Sequence, residues 1–197
     1  MMSRTPVRFT RDSRTSSALG EAYQRMMRRD KLTFVTRTLV IFFAVAIATR
    51  TQQSPSQPVD KVIVVKHERA LQLLSKGAVL KTYKVALGTQ PVGPKQQQGD
   101  HRTPEGTYVL DSRNEYSQFH KSIHISYPDS ADKARANAAH VSPGGDIYVH
   151  GLPNGFGFIG KHHRLRDWTD GCIAVTDDEI DEIWALVKNG TPIEIKP

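Results

Sequence analysis

The chain has 197 residues, 38% hydrophobic and 24% charged, with a formal net charge of +7 at pH 7 and a single cysteine, which suits one compact domain plus an appendage. The charge does not mark a nucleic-acid binder: residues 1–50 hold ten Lys/Arg and three Asp/Glu, whereas residues 51–197 hold 17 of each sign, and a nucleic-acid binder carries its charge on the folded part. One cysteine excludes an internal disulfide and leaves an intermolecular link or a reactive thiol.

Residues 1–50 read as a basic leader. Leu39–Ala48 (LVIFFAVAIA) follows Arg25, Arg28, Arg29, Lys31 and Arg37 and ends in Ala46-Ile47-Ala48, the basic region, short apolar core and small-residue site of a secretory signal peptide. A retained membrane anchor is the alternative, if Phe34 and Val35 join the apolar run and Arg37 reaches the headgroups. A buried core helix fits the Arg-rich flank and the polar tail poorly. Either favoured reading puts the rest of the chain outside the cytoplasm, in the periplasm or an equivalent space, with membrane contact only through this N-terminal segment. A start at Met26 or Met27 would leave a leader of ordinary length, so Met1–Arg25 is set aside as an upstream extension.

Thr51–Val59 (TQQSPSQPV) is polar and Pro-rich, a linker, and residues 60–197 form the expected domain. Strands are predicted at Lys61–Lys66, Ala70–Leu74 and Ala78–Leu87, the last two joined by a Ser-Lys-Gly turn. Gly88–Thr103 lacks periodicity and reads as a long loop, of the kind that often carries function. Further strands are predicted at Thr107–Leu110 and Ser122–Tyr127, and a short helix at Asp129–His140. Asp146–His150 is strand-like, and Gly151–Asp167 is a Gly-rich loop with a basic cluster, Lys161–Arg166. Gly171–Val175 is strand-like again. Thr176-Asp177-Asp178-Glu179 forms a capping box before a helix whose Ile180, Ile183, Trp184 and Val187 share one face, with Gly190 closing it. Pro192–Ile195 is a last strand. Many short strands and two short helices predict a mainly β domain, a β-sandwich or barrel-like fold.

Cys172 follows Gly171 at the junction of a loop and an apolar strand. The glycine lets consecutive backbone N–H groups approach a reacting carbonyl as an oxyanion hole, although a buried structural cysteine is common. His150, at a strand end and followed by Gly151, is placed to serve as the base that a catalytic thiol needs. His120 and His124 lie four apart, but on a predicted strand, where that spacing does not gather zinc ligands; no metal and no cofactor are expected. Arg102 and Glu105 in Thr-Pro-Glu-Gly are candidate substrate contacts or simply parts of a turn, and Arg166 is a candidate contact for substrate carboxylates or part of a solvated loop.

Ile147-Tyr148-Val149-His150-Gly151, a Gly-rich spacer, then Thr169-Asp170-Gly171-Cys172-Ile173 resembles the active-site signature of the L,D-transpeptidase (YkuD-like) family. Val92-Gly93-Pro94-Lys95, Arg102-Thr103-Pro104-Glu105-Gly106 and His124-Ile125-Ser126-Tyr127-Pro128 resemble the YafK-like branch of murein L,D-transpeptidases. The resemblance spans Asp60–Pro197. It implies a Cys172 nucleophile, a His150 acid–base and oxyanion donors at the Gly171 and Cys172 amides, with Gly151, Thr169 and Asp170 close to substrate. Asp170 stands where the family often has His, and a carboxylate there must face away from the thiol or hold a basic partner. The implied reaction is attack on the L-centre carbonyl of a peptidoglycan stem peptide to form a thioester. An amine acceptor, such as a diaminopimelate side chain or the Lys of a wall-linked lipoprotein, then completes a transfer, or water completes a hydrolysis. An inert wall-binding module is the alternative from another class.

Overall fold

The computed structural model describes residues 58–197. The predicted leader, with its signal or anchor, and most of the linker lie outside them. Eight strands form one sheet: β1 (Lys61–Val65), β2 (Ala70–Ser75), β3 (Ala78–Lys84), β4 (Gly106–Ser117), β5 (His120–Ile125), β6 (Tyr148–His150), β7 (Ile173–Ala174) and β8 (Thr191–Lys196). Two α-helices, α1 (Ser130–Ala138) and α2 (Asp177–Leu186), and a 3-10 segment, Gly157–Leu165, complete the described elements.

The sheet order is β3-β2-β1-β8-β4-β5-β6-β7. β1 pairs with β8, and β6 with β7, in parallel; the remaining pairs are antiparallel. Period-2 alternation turns Val62 and Val64 of β1 and Ile193 and Ile195 of β8 into the core. The predicted strand Ala78–Leu87 divides: β3 ends at Lys84, and Ala86 crosses to β7. There Ala86 N–H donates to Ala174 O at 3.0 Å and Ala174 N–H to Ala86 O at 2.9 Å. The two ends of the sheet therefore meet, and the curled sheet closes around one core beside Cys172.

β4 runs seven residues beyond the predicted Leu110, through polar Asp111–Ser117. Its pairing with β5 shifts register twice, which bends the hairpin, and Asn114, Tyr116 and Ser117 become one wall of a cavity. The Gly151–Asp167 region, predicted as a loop, contains the 3-10 segment, broken at Gly160 (φ 50°). α2 begins as predicted, with Thr176 Oγ1 accepting from Glu179 N–H and the Glu179 carboxylate accepting from Thr176 N–H, and buries Ile180 and Ile183. The domain also starts slightly early: Val59 of the predicted linker is part of the core.

Candidate active site

The parallel register Val149↔Ile173 and His150↔Ala174 sets β6 beside β7. Val149 and Ile173 point into the core, so alternation turns His150 to the opposite face. One step back in register, Cys172 lies beside Tyr148. Across the sheet, Asn114 pairs with Ser122 and Ser122 with His150. These rungs floor a cavity of about 690 Å³ lined also by Phe119, Asp146, Trp168, Thr169, Asp170 and Cys172.

His150 is 4% exposed. Its Nδ1 lies 2.7 Å from Gly151 O; a carbonyl only accepts, so Nδ1 carries the proton and Nε2 keeps the lone pair. The ring sits between Phe119 (centroids 4.6 Å) and Trp168 (5.8 Å, edge-on). Burial pulls its pKa down to about 4, with the Gly151 carbonyl working the other way. Burial pushes the Cys172 thiol up to about 11; Asp170 and Asp146 add to this, and the Tyr148 amide opposes it. At neutral pH both groups are therefore uncharged. The thiol points to Asp146 O at 3.6 Å and shares the cavity with the imidazole without hydrogen-bonding to it.

The turn before Cys172 is tightly braced. Thr169 Oγ1 donates to Cys172 O at 2.7 Å and accepts from Gly171 N–H at 3.2 Å. Gly171 has φ 127°, and a Cβ there would lie 2.6 Å from Arg102 O, so both conformation and space demand glycine. Asp167 anchors the segment, taking three hydrogen bonds from Arg69 and one from Leu87 N–H at 2.9 Å. Asp170 does hold a basic partner: its carboxylate lies 2.7 Å from His101 Nδ1, on the 88–103 loop. That loop is pinned by buried Lys66, whose Nζ donates to Gly93 O, Thr103 O and Glu105 Oε1 at 2.6, 3.0 and 2.7 Å.

Of the residues singled out in the sequence, Cys172, His150, Thr169 and Asp170 meet at the cavity. Glu105 is committed to Lys66, and Arg102 contributes its backbone against Gly171. Gly151 packs under α2, where a Cβ would come within 2.7 Å of Asp177 Oδ1. Arg166 lines a separate apolar pocket across Trp168. Phe119, Ser122, Asp146 and His101 reach the site unannounced, since only the strand register and the loop path bring them there. Among the described residues no group of three or more His, Cys, Asp or Glu side chains is placed to hold a metal ion.

Two buried rings make a prediction about acid. His163, 8% exposed, also has its pKa pulled to about 4, by burial first and then by Arg164. Each imidazole is held neutral in the fold and protonates near 6.5 once unfolded. Its contribution, on the order of 3 kcal/mol, is full above that value and drains as pH falls through about 4. The urea midpoint is expected to drop steadily from pH 6.5 to 4. His163→Gln, which keeps an acceptor for the Trp168 Nε1–H (3.4 Å), should remove about half of the slope; an unchanged slope would assign the acid sensitivity elsewhere.

The L,D-transpeptidase catalytic domain (YkuD) model matches residues 60–195. YafK of Escherichia coli (strain K12), provisionally named an L,D-transpeptidase, is 33% identical over 144 residues, covering 69% of this chain and 50% of that protein. This chain thus spans about half the length of the curated relatives it matches. Among solved structures, the helical cell shape determining protein Pgp2 of Campylobacter jejuni superposes with a TM-score of 0.54 at 22% identity, over 72% of this chain and 48% of Pgp2, a likeness of fold. Taken with the matched domain, these findings place the chain in the L,D-transpeptidase catalytic-domain family.

Proposed function

We propose that the domain is a cysteine acyl transferase of peptidoglycan stem peptides, exported or anchored outside the cytoplasm by residues 1–50. The observation that carries this reading is that His150 on β6 and Cys172 immediately before the adjoining parallel β7 line one cavity, with Nδ1 of His150 tied back so that Nε2 is the available base. The Cys172 sulfur attacks the L-centre carbonyl as its proton passes to His150 Nε2. The tetrahedral oxyanion is held by the Cys172 amide, since Thr169 Oγ1 already engages the Gly171 amide. The C–N bond then breaks, His150 returns the proton to the leaving amine, and a thioester remains on Cys172.

An incoming amine resolves the thioester as transfer, in cross-linking or in attaching a wall-linked lipoprotein. Water resolves it as hydrolysis. Asp146 and Asp170 supply carboxylates to the cavity, and no lysine or arginine lines it; this favours approach by an amine-bearing acceptor.

The test is the intact mass of the full chain after exposure to tetrapeptide muropeptide, with and without an added diamino acid. The expected result is an acyl adduct on the peptide containing Cys172, discharged faster by the amine. Discharge at the same rate without amine assigns a hydrolase. No adduct would overturn the mechanism and leave the wall-binding module, and an adduct on another residue would overturn the assignment of Cys172.

A further inference from the structure

His163 has no step in the reaction proposed above, yet the fold buries it beside the site. Its one side-chain hydrogen bond among the described residues is with Trp168, whose indole Nε1–H donates to His163 Nδ1 at 3.4 Å. An indole nitrogen only donates, so Nδ1 is the unprotonated nitrogen of the ring and Nε2 carries the hydrogen. That second nitrogen is buried with no hydrogen-bond partner among the described residues, an arrangement that lowers stability and leaves Trp168 as the polar contact the ring serves. The backbone under His163 is fixed by its neighbour Arg164, which pairs with Glu179 of the α2 capping box.

Trp168 needs such a tether. It is only partly buried, and it separates two open spaces, lining the cavity that holds Cys172 and also the apolar pocket of about 540 Å³ on its other side. Apart from its stacking on Phe119 at 6.3 Å, packing leaves the indole room to turn. The base depends on that indole in turn. The bond from Nδ1 to Gly151 O holds one corner of the His150 ring, and Phe119 and Trp168 are the rings packed against the remainder. We propose that His163 is a positioning residue for the base, holding Trp168 against His150 so that the imidazole keeps Nε2 open to the cavity. This rests on the reading of His150 and Cys172 as base and nucleophile, and adds to them a side chain that acts through Trp168.

The full chain is tested with p-nitrophenyl acetate, an activated ester whose burst of nitrophenolate, lacking in Cys172→Ala, reports acylation of Cys172 whatever the natural acyl donor. At neutral pH His163→Leu, which fills the space without an acceptor, is expected to slow the burst by roughly tenfold or more. Trp168→Phe, which removes the N–H, should slow it by a similar factor. Together they should cost no more than one alone, because both break the same link. His163→Asn, with Oδ1 in place of Nδ1, should recover most of the rate. A wild-type burst in His163→Leu would overturn the proposal, as would an asparagine variant no faster than leucine, or losses that multiply in the double variant. The chain has two tryptophans, Trp168 and Trp184, so a proton–nitrogen correlation spectrum reads the tether without any chemistry. The Trp168 indole N–H resonance should move and lose protection from exchange in His163→Leu while that of Trp184 stays; an unmoved Trp168 resonance would overturn the tether. A wild-type chain without a burst would overturn the reading of base and nucleophile and with it the catalytic half of the proposal, and the indole resonance tells that failure from a failure of the tether.

Discussion

Cys172→Ser and Cys172→Ala are expected to remove acyl transfer, by at least about 10³-fold, while leaving the domain folded. The two demands on this position are separable. Packing asks only for a small side chain at the mouth of the cavity, and the serine hydroxyl can keep the contact with Asp146 O that the thiol makes at 3.6 Å. Chemistry asks for a polarisable sulfur whose proton a neutral imidazole can accept, and a hydroxyl holds its proton much more tightly. The backbone braces of Thr169, Gly171 and Asp167 do not involve the sulfur. Turnover of muropeptide and the thermal midpoint, measured on the same preparations, check both halves. Wild-type turnover in either variant would end the nucleophile assignment.

For His150→Ala the expected loss is about 10² to 10⁴, and the pH profile should change shape. In the resting enzyme the imidazole is neutral above about pH 4 and the thiol protonated below about pH 11. Wild-type activity should therefore rise through an acid limb set by His150 and hold a plateau across neutrality, where the base is ready and the thiol supplies the proton. Without the imidazole only pre-formed thiolate reacts. Residual activity should then climb roughly tenfold per pH unit toward the thiol pKa. A variant that keeps the wild-type plateau would show that another group accepts the proton.

Cys172 and His150 stood out on local pattern, a cysteine after glycine and a histidine before glycine, each beside a short apolar strand, together with the family resemblance, and the structure brings both to one cavity. β1, β8 and the start of α2 were legible for the same reason, since alternation and a capping box are written in neighbouring residues. Asp111–Ser117 of β4 was not, because its strand character comes from pairing with β5 and not from an apolar face of its own. The 3-10 segment has no helical periodicity to read, and Gly160 interrupts it. For Glu105, read as a substrate contact or part of a turn, the partner could not be read locally, because the buried Lys66 lies 39 residues away. That Asp170 would face away from the thiol or hold a basic partner followed from charge alone, whereas finding His101 as a partner required the path of the 88–103 loop.

The position of β8 bears on when the candidate site is fully assembled. The last strand in the chain, Thr191–Lys196, occupies the middle of the sheet, between β1 and β4. During vectorial emergence, from a ribosome or through a pore, β1–β3 and β4–β7 can form only as separate fragments with β1 and β4 exposed as open edges. The seam between Ala86 and Ala174 joins residues 88 apart in sequence and gains its geometry once β8 has bridged the two fragments. A chain interrupted before Thr191 therefore carries His150 and Cys172 side by side through the pairing of β6 with β7, but lacks the bridge that brings Ala86 against Ala174 and closes the sheet beside them.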